Sequence, residues 1–263
     1  MRVSAFAVLA WAAAVATLVF LVAPIVIVVI ASFNDAAILS FPLQRFSLRW
    51  YLAFFRDFEL VQALQMSLVV AALSTLFAIL IGVPAAFSLN RYEFSGREAI
   101  SAFLLSPLLI PLIVLGLAVL LVYAALGLRA SLTGFVVMHV LITTPYVVRA
   151  VLAMLSRFDR MLEEAALSLG ADDVRTQWHV TLPLIKPGIF AGGFFAFMTS
   201  FDNVPLSIFL GSSKLVTLPV KIYSQVEAYG IDPVFAAIST LVIAGTLVVM
   251  LLFDHYVGLD YLR

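Results

Sequence analysis

The 263-residue chain contains no cysteine, which excludes disulfides, thiolate metal sites and cysteine nucleophiles. Charge is scarce too: 11% of the residues are Asp, Glu, Lys or Arg, against roughly a quarter in a soluble domain. Fifteen basic and fifteen acidic residues cancel, so there is no basic field to gather nucleic acid, and no long run of like charge makes a solvated tail. The glycine-rich lysine loop that cradles nucleotide phosphates is missing, so ATP chemistry, if used, belongs to another polypeptide. No internal repeat stands out, which argues against a secondary transporter built from duplicated halves.

What fills the chain is apolar. Hydrophobic residues make up 64% and the mean hydropathy is +1.15, the composition of an integral membrane protein. A helix needs about 20 apolar residues to cross a hydrocarbon core roughly 30 Å thick. Six segments meet that length, at about 5–31, 66–89, 99–126, 131–155, 188–211 and 234–256. They predict an all-α protein with six transmembrane helices in a single transmembrane domain over 1–263. The first continues past Pro24 to Ala31, longer than a signal-peptide core of about 7–15 residues, and reads as a retained span. With the N-terminus in the cytoplasm, nine of the fifteen basic residues fall inside and six outside, which favours both termini inside by the positive-inside rule.

The outer stretch 47–64, SLRWYLAFFRDFELVQAL, is amphipathic and aromatic and reads as a helix lying along the membrane surface, where it is equally a packed connector or a substrate contact. Within the third span, Pro107 and Pro111 lie on one face by their i, i+4 spacing, and each removes a backbone hydrogen bond. Such breaks survive in a membrane where neighbouring helices or water satisfy the freed carbonyls, so the pair is a candidate for a moving pathway.

One long polar interruption, 156–187, divides the fourth span from the fifth. Met161–Leu169 reads as a short helix with Glu163 and Glu164 in its first turn, where the helix dipole favours negative charge, and with Ala165, Ala166 and Leu169 on another face. Gly170 can take the left-handed conformation that ends a helix. A second short helix restarts with Asp172 as cap and reaches His179, and Pro183 and Pro187 close the segment. A rigid helix, glycine turn and helix suits a socket on a partner. An amphipathic loop resting on lipid headgroups is the alternative.

The order Glu164, Ala165, Ala166, three residues, Gly170, nine residues, Val180, Thr181, Leu182, Pro183 resembles the EAA signature of permease subunits of bacterial ABC importers, with valine where isoleucine is usual. Further stretches, among them WYLAFF (50–55), NRYEFSGR (90–97), TPYVVRAV (144–151) and SFDNVPLSIFL (200–210), resemble the second permease of the spermidine/putrescine branch. The resemblance implies the type I ABC importer permease fold in a bacterial inner membrane. It also implies no cofactor on this chain, a second six-span permease, two ATPase subunits that bind ATP and Mg, and a periplasmic or lipid-anchored solute-binding protein. It makes the polar segment a coupling helix and assigns the ATPase contact to Glu163, Glu164, Ala165, Ala166, Leu169, Gly170, Ala171, Leu182 and Pro183.

Asp202 is the notable charge in the fifth span, where lipid exposure costs about 3 kcal/mol. It is a candidate counter-ion for a cationic substrate or, equally, a helix cap. Ser200 and Asn203 beside it, with Pro107 and Pro111, complete the candidate pathway. The branch often has two acids where this chain has Asp202 and Asn203, so ferric ion, thiamine or another small organic cation stands beside a polyamine as substrate. His139 reads as a packing residue and the 22 phenylalanines as lipid and helix packing. Glu227 and Asp232 in the outer loop can meet a binding protein or a cation, or simply be solvated.

Overall fold

The computed structural model describes residues 5–36, 45–128, 130–212 and 215–257, with side chains from residue 6 to 252 of these. The basic residues Arg2, Arg129, Lys214 and Arg263 of the topology count lie outside the described residues. In chain order the helices are α1 Ala5–Ser32, α2 Arg49–Arg56, α3 Phe58–Arg91, α4 Arg97–Leu105, α5 Leu112–Ala125, α6 Leu132–Leu155, α7 Met161–Ser168, α8 Asp173–Thr176, α9 Leu182–Phe201, α10 Pro205–Leu210, α11 Leu218–Tyr229 and α12 Pro233–Val257. Five helical stretches among the described residues are long and apolar enough to cross a membrane. A sixth arises if the bent pair α4–α5 counts as one broken span.

Three expected boundaries moved, each for a local reason. The surface helix over 47–64 is cut in two, because Asp57 takes an extended backbone and its carboxylate accepts from the Leu60 N–H at 3.0 Å, capping a new helix. Residues 58–64 are thus the first turns of α3. The third span is not straight: after a short 3-10 turn at Ser106–Leu108 the chain bends by 102° before α5. Pro111, with ψ 126, stands outside the helix as its cap and has no N–H to continue the ladder. Pro107 is consequently buried and Pro111 exposed, so the expected shared face is absent.

The third difference joins what the prolines were expected to separate. Helix runs from Asp173 into Phe201 through a π-helical turn at Gln177–Thr181. Pro183 cannot donate to the carbonyl four residues back, and the widened turn ahead of it makes room for its ring.

The chain divides into two compact units, residues 1–61 with 224–251 and residues 62–223 with 252–263. In the first, the end of α1 is tied to α2. The Trp50 indole N–H donates to the Asn34 carbonyl at 2.9 Å, the Ser32 and Tyr51 hydroxyls meet at 2.6 Å, and Arg49 pairs with Asp35 at 3.2 Å. Asp232 accepts from the Val234 N–H at 2.8 Å and caps α12, a structural use for an acid that also invited a binding role.

In the second unit α3, α6 and α9 pack through Ala78, Ala86, Val147, Val148, Val151, Ile185 and Ala196, all buried. Small residues let the backbones close up, as expected where lipid supplies no hydrophobic drive between helices. At Gly192 a Cβ would lie 2.8 Å from the Val147 Cα. A second cluster joins Val70 of α3, Val119 of α5, Phe135 and Ile142 of α6, and Leu206 and Leu210 of α10.

Candidate functional site

The polar segment is the most sharply built part of the second unit. Asp159 accepts from the Met161 N–H at 2.9 Å and starts α7, and Glu163 and Glu164 stand in its first turn. The helix ends at Gly170, φ +90°, with Gly170 N–H donating to Leu167 and Ala171 N–H to Ala166, the paired closure of a left-handed glycine terminus. Asp172 then accepts from the Arg175 N–H at 2.7 Å and starts α8, as the spacing predicted. Every turn of this knob is thus closed by its own sequence.

Its two glutamates part company. Glu164 is exposed, whereas Glu163 is buried and accepts from Arg91, the last residue of α3, and from the Thr181 hydroxyl in the π-helical turn. One carboxylate therefore pins α7 to α3 and to the root of α9, in the partly buried, charge-assisted form that is strongest. Of the nine residues expected to face a partner, Glu163 faces inward. Glu164, Ala165, Leu169, Gly170 and Pro183 are exposed, and Ala166, Ala171 and Leu182 half-buried. Leu169 is 89% exposed, and Met161, Val174 and Trp178 are exposed as well.

Two more arginines brace the base. Arg97 Nε donates to the Leu89 carbonyl at 2.7 Å and Arg160 to the Asn90 carbonyl at 3.2 Å, placing guanidinium groups on the orphan carbonyls at the negative end of α3. Arg91, Thr181, Arg97 and Arg160 escaped the sequence reading as site residues, since a pairing such as Arg91 with Glu163 spans 72 positions.

The pathway candidates divide similarly. Asp202 is exposed at the C-terminal end of α9. Asn203 is buried, and its side-chain oxygen accepts from the Leu206 N–H at 2.9 Å, capping α10. Ser200 is buried in a polar cluster with Ser74 and His139. The structure brings Ser200, Asp202 and Asn203 to one helix break, while Pro107 and Pro111 belong to the separate bend before α5.

Apolar spans, a broken helix pair and a polar knob clamped to the ends of two spans are the parts of a membrane permease. The chain belongs to the binding-protein-dependent transport system inner membrane component family, whose pattern matches residues 78–257. It is thus a multi-pass inner-membrane permease. It is 33% identical over 232 residues to the spermidine/putrescine transport system permease protein PotC of Escherichia coli (strain K12), covering 88% of this chain and 87% of that one. The putrescine transport system permease protein PotI of the same strain is also 33% identical, covering 85% and 82%. A probable molybdenum ABC transporter permease protein of Haloferax volcanii is 36% identical over 200 residues, 73% of each chain. Among solved structures, a chain of a bacterial ABC transporter involved in the import of the acidic polysaccharide alginate superposes with a TM-score of 0.73 at 15% identity, covering 95% and 96% of the two chains. The fold of the two is the same.

Proposed function

We propose that this chain forms half of the translocation pathway of a polyamine importer. It pairs with a second six-span permease, is driven by two ATPase subunits that hold the ATP and Mg, and receives solute from a periplasmic or lipid-anchored binding protein. Both termini face the cytoplasm, in keeping with the excess of arginine and lysine on that side.

The observation that carries this reading is the knob: exposed Leu169, Ala165 and Val174 in front, the buried Glu163 clamp behind, and unbroken helix from Asp173 into α9. A partner that grips the front cannot move it without moving the ends of α3 and α9. ATP closes the ATPase pair, the two coupling knobs approach, and the permeases open outward to accept solute. Supporting the polyamine assignment are the relatives named for spermidine and putrescine and the exposed Asp202 carboxylate at the helix break, a counter-ion for a passing ammonium group.

Uptake of labelled spermidine and putrescine by cells with and without this chain tests the substrate. Loss of uptake on deletion is expected. Unchanged uptake of both overturns the polyamine assignment and points to another solute, such as ferric ion, thiamine or a further organic cation.

A further inference from the structure

His139, in the middle of α6, has no solvent exposure and lies against the Phe135 ring, with centroids 4.8 Å apart. Both of its ring nitrogens are engaged. Nδ1 meets the Ser200 hydroxyl at 2.8 Å and Nε2 the Ser207 hydroxyl at 3.3 Å. Ser200 in turn accepts from the Ser74 hydroxyl of α3 at 2.9 Å. A neutral imidazole has one donor and one acceptor, and a hydroxyl serves as either, so the chain Ser74, Ser200, His139, Ser207 is satisfied when each hydroxyl donates onward. A buried polar group persists at such depth only when paired in this way.

The two serines that His139 joins belong to different helices. Ser200 is in the last turn of α9 and Ser207 in the first turn of α10, on opposite sides of the non-helical stretch 202–204. Pro205 has no N–H for the Phe201 carbonyl, so the break at 202–204 is not closed by that hydrogen bond. The Asn203 side chain caps the new helix instead. On its other side α10 is nested against α5 at Gly116, where a Cβ would come within 2.7 Å of the Phe209 ring and 3.2 Å of the Pro205 carbonyl. Cap, glycine seat and histidine thus hold a six-residue helix from three directions.

We infer that His139 is a positioning residue for transport: it staples α9 to α10 across the break and so fixes the turn that presents Asp202. Its consequence for uptake rests on the reading of Asp202 as part of the pathway. A histidine that only filled space would be replaceable by leucine. A staple is not, but glutamine, which also carries a donor and an acceptor, keeps part of it.

Because the chain has no cysteine, Phe195→Cys and Ile208→Cys, both at exposed positions, take nitroxide labels at those two sites alone. Electron-electron distances are then read in the full-length protein in lipid nanodiscs. One narrow distribution is expected for the parent, at least a doubling of its width in His139→Leu, and a width near the parent's in His139→Gln. Uptake should fall about tenfold in His139→Leu at equal membrane amount. A narrow distribution in His139→Leu overturns the inference. If that variant does not reach the membrane, Ser207→Ala cuts one end of the staple, and a narrow distribution there overturns it equally. Asp202→Asn separates the two readings: full uptake in it, with broadening in His139→Leu, removes the pathway role and leaves the staple standing.

Discussion

Replacing Glu163 by alanine removes the clamp behind the knob, and the size of the effect follows from the exposure of what remains. Truncating one partner of a buried ion pair costs about 3–5 kcal/mol when the surviving charge stays buried. Arg91 does not stay buried. Its side chain is 26% exposed, and its guanidinium rests 5.4 Å over the Phe87 ring at the helix end, free to turn toward water. The cost of Glu163→Ala is then about 2 kcal/mol, which loosens the docking of α7 on α3 by roughly 30-fold. Arg91→Ala is the harsher change, because the Glu163 side chain is only 8% exposed and cannot reach solvent without undocking. It should approach the full penalty of about 3–5 kcal/mol. Hydrogen exchange of the amides in 161–176, with solute uptake alongside, reads both. Protection and uptake should fall in the order parent, Glu163→Gln, Glu163→Ala, Arg91→Ala, since the glutamine amide oxygen still accepts from Thr181 and Arg91 but carries no charge. Native exchange in Glu163→Ala, or Arg91→Ala milder than Glu163→Ala, refutes the reasoning.

Further consequences are equally open to measurement. Asp202→Asn should lower polyamine uptake by about tenfold, the worth of one partly screened charge contact near 1.4 kcal/mol, with membrane abundance unchanged on immunoblots. Gly192→Val should cost about 3 kcal/mol or more by forcing α9 off the Val147 backbone, and should appear as a lower melting temperature in detergent. Asp57→Ala should remove the cap of α3 at a cost of about 1 kcal/mol, seen as faster exchange at residues 58–61 with uptake preserved.

Much of this was legible along the chain because it depends on neighbours in sequence. Four of the expected spans occur as apolar helices and the third as a bent pair, while the fifth, expected over 188–211, is shifted: its helix runs from Asp173 and ends at Phe201, with 205–210 a separate short helix. Gly170 and Asp172 do what a terminating glycine and a capping aspartate do wherever they occur. The failures have a common physical origin. The spacing of Pro107 and Pro111 predicts kinks inside one helix, but with the short 3-10 turn at Ser106–Leu108 they end one helix and begin another. Pro183 and Pro187 mark the start of the fifth span in the sequence, yet the π-helical turn absorbs the lost hydrogen bond and carries the helix from Asp173 into α9. The Glu163 clamp and the His139 staple join residues up to 126 positions apart along the chain, counting Ser74 with Ser200, and no periodicity announces such pairs. Glu163 and Glu164 look alike in sequence; only the fold turns one inward and leaves the other exposed.

On the proposed function, the polar segment transmits work from an ATPase to the membrane helices. Gly170 tests it most directly, since a Cβ there meets nothing within 4 Å and the only cost of a side chain is the left-handed backbone at φ +90°, about 1–2 kcal/mol. The decisive quantity is solute imported per ATP hydrolysed by the assembled transporter in proteoliposomes, for the parent and for Gly170→Val. Gly170→Val should keep its place in the membrane and retain ATP hydrolysis while the ratio falls at least tenfold. An unchanged ratio contradicts it.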